Sequence, residues 1–134
     1  MSLNRRDVVK AFAVSGAGLA SGGAFAAAPP AAGKIVHHVF FWLKRPGSAT
    51  ERDQLVAGLR TLAAIPVIRD LQIGVPASTE KRDVVDSSFD VSELMLFDSV
   101  ADQKAYQDHP IHLAFVAKCE GLWEKVVVYD MVTV

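Results

Sequence analysis

Lys34-Ile35-Val36-His37-His38-Val39-Phe40-Phe41-Trp42-Leu43-Lys44 is the stretch that most limits what this chain can become. Its density of β-branched and aromatic residues predicts a strand. Successive side chains of a strand point to opposite faces. One face therefore carries Ile35, His37, Val39, Phe41 and Leu43, and the other Val36, His38, Phe40 and Trp42. Both sets are largely apolar, so neither can meet bulk water over its whole length. The helices of so short a chain cover only one face of a sheet. A second copy of the chain is the simplest cover for the other. His38, Phe40 and Trp42 are thus the expected dimer-interface residues, aromatic side chains being favoured anchors in such contacts.

Upstream of this strand the residues read as an address rather than as fold. Asn4-Arg5-Arg6-Asp7-Val8-Val9-Lys10 resembles a twin-arginine motif, with Asn and Val where Ser or Thr and Phe are commoner. The apolar run from Ala11 to Ala24 falls short of the ~20 residues of a membrane span. Ala24-Phe25-Ala26 supplies a small-x-small cleavage pattern. The expectation is a twin-arginine signal peptide over 1–26, which implies a bacterial protein that is periplasmic or secreted and free of the membrane once cleaved. A retained anchor and an incidental basic N-terminus are the alternatives. Residues 27–33 read as a flexible Pro/Ala tether, and 34–134 as one domain. Cleavage after Ala26 removes three of 14 basic and one of 15 acidic residues, leaving 108 residues with a net charge of −3. A core this small gains from oligomerisation. A mildly acidic chain without a basic run argues against nucleic acid. Cys119 stands alone, which excludes an internal disulfide and a cysteine zinc site; it reads as a small buried hydrophobe.

Pro46-Gly47 ends the first strand. Ser48 or Thr50 can cap a helix running to about Ala64, with Leu55, Val56, Leu59, Leu62 and Ala63 on its apolar stripe and Gly58 marking close packing. Ile65-Pro66 stops it, and a second strand follows over 67–75. Pro76 to Asp90 is long and polar for a connection, a length typical of lids, binding loops or disordered segments. Val91 to Phe97 reads as a third strand. Ser99 opens a helix to about Asp108, a further helical piece runs from Pro110 to near Gly121, and Lys125 to Val134 closes as a strand. The order is βαββαβ: an α+β, ferredoxin-like chain with a four-stranded antiparallel sheet and both helices on one face.

The chemistry gathers at Tyr106-Gln107-Asp108-His109-Pro110-Ile111-His112, which holds two of the four histidines. Proline suits the first helical position, where its missing N–H is no loss. His109 is then the N-cap, and His112 lies in the first turn, where the helix dipole favours neutral imidazole. A neutral imidazole is a usable general base. His109 and His112, with His37 from the sheet, were they ligands, would form a metal face. The helix break at Pro110 and the lack of a patterned carboxylate speak against it, and no haem-attachment motif is present. No metal or other cofactor is expected.

His37 to Lys44, Phe97 to Phe115 with its His109-Pro110-Ile111-His112, and Leu122-Trp123-Glu124-Lys125 together resemble the stress-responsive A/B-barrel (Dabb) family over roughly Lys34 to Val132. The resemblance implies a homodimer in which two ferredoxin-like sheets pair into a dimeric α/β barrel. A cofactor-free polyketide cyclase of that family carries its catalytic tyrosine and histidine in a Tyr-x-x-His-Pro-x-His segment, and Tyr106 to His112 match it. By that match Tyr106 and His112 correspond to the catalytic pair, and His109 and His37 to substrate-pocket residues. Two functions follow. One is an exported dimer with a stress-related or small-ligand-binding role and no catalysis, its Tyr106 and His112 structural. The other is a cofactor-independent cyclase or lyase acting on a small hydrophobic carbonyl compound. Catalysis requires both side chains in a solvent-connected cavity; a structural role requires both saturated internally, with no cavity.

Overall fold

The computed structural model describes residues 33–134. The signal peptide expected at 1–26 and the tether up to residue 32 lie outside the described residues. The chain runs β1 (Ile35–Leu43), α1 (Ala49–Arg60), a 3-10 turn (Thr61–Ala64), β2 (Asp70–Gly74) and β3 (Val91–Phe97). Then come α2 (Val100–Gln107), α3 (Pro110–Cys119), a 3-10 turn (Glu120–Leu122) and β4 (Trp123–Val132). The strands form one antiparallel sheet in the order β2-β3-β1-β4. This is the ferredoxin-like fold, with the second helix broken into α2 and α3.

β1 alternates buried and half-buried residues along its whole length. Ile35, Val39, Phe41 and Leu43 enter the core with Leu55, Leu59, Leu62, Val91, Met95 and Phe97. Val36, His38, Phe40 and Trp42 stay half-buried on the open face. Ser48 and Ser99 accept hydrogen bonds from the backbone N–H groups of Glu51 (3.3 Å) and Asp102 (3.1 Å), so each helix starts at a side-chain cap. Gly58 marks a close approach: a Cβ there would stand 2.5 Å from Cys119 Sγ on α3. Cys119 is buried, and burial pushes its thiol pKa up.

Element boundaries differ from the sequence reading in places. Ala63 is exposed, because the chain tightens into a 3-10 turn at Thr61 and the repeat falls from 3.6 to 3 residues. β2 starts only at Asp70, since the Ile68 N–H still turns back to the Ile65 carbonyl (3.3 Å). β4 begins at Trp123, which pairs with Leu43 across a register shift after Trp42. The end of the 76–90 connection folds onto β1 and the open face. Trp42 Nε1 donates to Ser88 Oγ (3.1 Å), Phe89 packs edge-on to Phe40, and the Asp90 carboxylate accepts from Leu43 N–H (2.8 Å).

Candidate active site

A helix end is what builds the site. α2 stops at Gln107, and a helix end leaves backbone carbonyls without intrahelical partners. The chain reverses through Asp108 and restarts at Pro110, with His109 extended at φ −66° and ψ 139°. Its Nδ1 accepts the Ile111 N–H (3.1 Å), so His109 is the N-cap expected of it. One turn further, His112 Nδ1 reaches back to the Gln107 carbonyl at 2.9 Å. A carbonyl only accepts, so Nδ1 carries the hydrogen. In the neutral ring, Nε2 is then left as the basic lone pair. Burial holds the His112 pKa below the usual histidine value; nearby His37 adds to this, while the Gln107 bond and Asp108 oppose it. Neutral imidazole is therefore favoured, mainly by desolvation.

His112 lines a partly open cavity of about 180 Å³. The sheet supplies its floor: His37, Val39 and Phe41 from β1, Glu93 from β3, and Val126 and Val128 from β4. Tyr106, Gln107, Phe115 and Val116 form the helical roof with His112, and Trp123 completes the wall. The Tyr106 ring lies 4.6 Å from the His112 ring and 5.8 Å from that of His37, centroid to centroid. Burial, and secondarily Glu93, push the Tyr106 hydroxyl pKa upward. It remains a proton donor at any ordinary pH. No described residue hydrogen-bonds that hydroxyl.

His37 is 5% exposed, and its Nδ1 donates to the Asp130 carboxylate on the neighbouring strand at 2.5 Å. Both histidines of the cavity are thus oriented through Nδ1, one by a backbone carbonyl and one by a carboxylate. His109 does not join them: it is not part of the lining, and its Nδ1 is committed to the cap, which replaces the pocket contact expected of it. His38, Phe40 and Trp42 lie on the opposite face of the sheet, as the strand alternation requires. Among the described residues no group of three His, Cys, Asp or Glu is placed to hold a metal ion.

Two residues escaped the sequence reading. Glu93 sits on the cavity floor, 2% exposed, and burial pushes its pKa up to about 8. Its Oε2 is buried without a hydrogen-bond partner. The signal was its place in the alternating row Val91, Glu93, Met95, Phe97, the inward face of β3. Asp130 gave the equivalent signal by sharing a face with Val126 and Val128.

Fold and site define an α+β, ferredoxin-like domain with a small histidine- and tyrosine-lined cavity between sheet and helices. Residues 35–133 match the Stress responsive A/B Barrel Domain, Dabb, and the chain belongs to that family. Among curated proteins none matches the chain. A solved Dabb protein from Mesorhizobium loti, described as having a ferredoxin-like fold, is 28% identical with a TM-score of 0.62, over 76% of this chain and 98% of its own. The hydroxynitrile lyase of Passiflora edulis is 27% identical with a TM-score of 0.64, over 78% and 95%. A protein of unknown function from Thermobifida fusca, described as dimeric and ferredoxin-like, shares the fold at 22% identity and a TM-score of 0.61, over 75% and 92%.

Proposed function

We propose that this protein is an exported homodimer whose cavity carries out cofactor-independent acid–base chemistry on a small carbonyl compound, making or breaking a carbon–carbon bond beside an oxygen. The observation that carries this reading is the meeting, in one solvent-connected cavity, of the tautomer-fixed His112 and the unclaimed Tyr106 hydroxyl. In the cleavage direction, His112 Nε2 takes the proton of a substrate hydroxyl while Tyr106 donates a hydrogen bond to the oxygen as charge develops. The carbonyl forms, the carbon–carbon bond breaks, and the departing fragment keeps the electron pair and takes the proton from the His112 imidazolium. The base is restored without any cofactor. The cavity is smaller than the ~300–1,000 Å³ of drug-sized sites, which limits the substrate to a few heavy atoms. Likeness to a hydroxynitrile lyase supports lyase chemistry.

The dimer is supported by the solved relatives described as dimeric and by the apolar open face of the sheet. Export rests on the twin-arginine-like N-terminus. The non-catalytic reading would need Tyr106 and His112 saturated by internal partners in a closed core.

The test is carbonyl release from a panel of small aldols and cyanohydrins by the mature protein and its His112→Ala variant. We expect turnover by the wild type and a loss of about 10²–10⁴-fold in the variant, the usual contribution of a general base. Equal rates in the two proteins would overturn the reading. So would an inert wild type whose variant melts sharply lower, which would make His112 structural.

A further inference from the structure

We propose that Glu93 determines specificity in this cavity: its protonated carboxyl hydrogen-bonds a second acceptor of the ligand and selects small neutral compounds bearing two acceptors. The inference rests on the cavity being the ligand site, as proposed above, but not on turnover. Glu93 lies in the inward row of β3, flanked by Val39 on β1 and Ile73 on β2. Leucine in that place would continue the apolar row of Val91, Met95 and Phe97. Instead a carboxyl is buried there, with Oε2 unpartnered. Removing a polar group from water without a hydrogen bond is unfavourable, so the group is stable there only at a cost that a ligand contact would offset.

The protonation state follows from the surroundings. The titratable groups lining the cavity with Glu93 are His37 on β1, Tyr106 on α2 and His112 on α3, and neither lysine nor arginine is among the lining residues. A carboxylate would be a buried ion without a counter-charge, which is strongly disfavoured. Glu93 therefore holds its proton and offers one O–H donor and one carbonyl acceptor. No described side chain takes that donor, which leaves it for a bound molecule.

Geometry sets the class of that molecule. His37 and His112 each commit Nδ1–H to a partner within the protein, so neither neutral ring has a second N–H to offer. The donors left on the lining are the Tyr106 and Glu93 O–H groups, one from the helices and one from the sheet. A compound with two carbonyl oxygens on a short chain can meet both. A single-acceptor compound engages only one of them. A cation would require Glu93 to ionise.

The experiment compares acetylacetone, methyl propyl ketone and butylammonium by ligand-observed NMR at neutral pH, with wild type, Glu93→Leu and Glu93→Gln. Acetylacetone is expected to bind the wild type about tenfold more tightly than methyl propyl ketone, the size of one added hydrogen bond. Butylammonium is expected to bind most weakly. Glu93→Leu brings the ratio of the two ketones to about one and raises the melting temperature, since an unpartnered buried polar group is gone. Glu93→Gln, neutral with both a donor and an acceptor, keeps most of the ratio. The ratio is read from binding alone, so absence of turnover leaves this result standing. Equal or absent binding of the two ketones by wild type, an unchanged ratio in Glu93→Leu, or tightest binding of butylammonium would each overturn the proposal. Lower melting temperatures in both Glu93 variants would do the same, by making the carboxyl a structural group.

Discussion

The two faces of the sheet have exchanged what a simple domain would give them. The helix-covered face, which should be wholly apolar, holds His37 and Glu93 beneath His112, all buried. The uncovered face, which should be polar, presents Val36, Phe40, Trp42, Leu94 and Leu96 half-buried, and Tyr129 at 67% exposed. Buried polar groups cost stability and exposed apolar ones cost solubility. Each departure fits the function proposed above, in which polarity inside serves a ligand and apolarity outside serves a second protomer. One strand, β1, serves both, by sending alternate side chains to each.

The largest effect that would break this division is chemical. Tyr106→Phe should lower turnover by about 10²-fold, the scale for one donor to a developing oxyanion, while leaving the fold intact; an unchanged steady-state rate would remove the tyrosine from the inner face's function. On the outer face, Phe40→Ala with Trp42→Ala should raise the dimer dissociation constant by at least ~30-fold, as loss of central aromatic anchors does. Sedimentation at low micromolar protein reads this, and an unaltered profile would move the interface elsewhere.

A sharper distinction comes from pH. Glu93 has a folded-state pKa near 8 against 4.5 for the free side chain. Between these values the folded state binds the proton and the unfolded state does not, so stability falls as pH rises through that window. The loss is on the order of a few kcal/mol, and Glu93→Gln should flatten it in urea titrations; a slope shared by wild type and variant would assign the effect to other groups. His112 has the opposite sense. Its lowered pKa places the acid limb of the activity profile below the usual histidine range, and a limb above pH 6.5 would contradict its buried setting. In the helical cover, Gly58→Ala forces a Cβ to within 2.5 Å of Cys119 Sγ and should cost ~1–3 kcal/mol by overpacking, read as a lower melting temperature. Ser99→Ala, which removes only a cap, should cost ~1 kcal/mol.

Much of this was legible because local rules govern it. The broken helix, the His109 cap and the first-turn place of His112 all follow from Pro110 and its neighbours. Gly58 announced a close contact because glycine inside a helix needs a reason. What stayed hidden depends on register between distant strands. Asp130 lies on a visible face of β4, yet only the pairing of β4 with β1 sets it opposite His37. Glu93 lies within the strand expected over Val91 to Phe97, but only its pairing with β1 and β2 on both sides buries the carboxyl. The 3-10 turn at Thr61 and the late start of β2 likewise reflect packing rather than local preference.

The place of β1 in the sheet also bears on how the molecule is made. Its neighbours are β3 and β4, and the β1–β4 edge is fastened by the Lys34 N–H to Thr133 Oγ1 bond, across 99 residues of sequence. Pairings this remote are slow, because the intervening chain must be ordered before they form. During synthesis the strand made first waits for the strand made last, and its apolar faces are unprotected until then. The cavity floor, with Val126 and Val128 contributed by that last strand, is finished only once the whole chain is available.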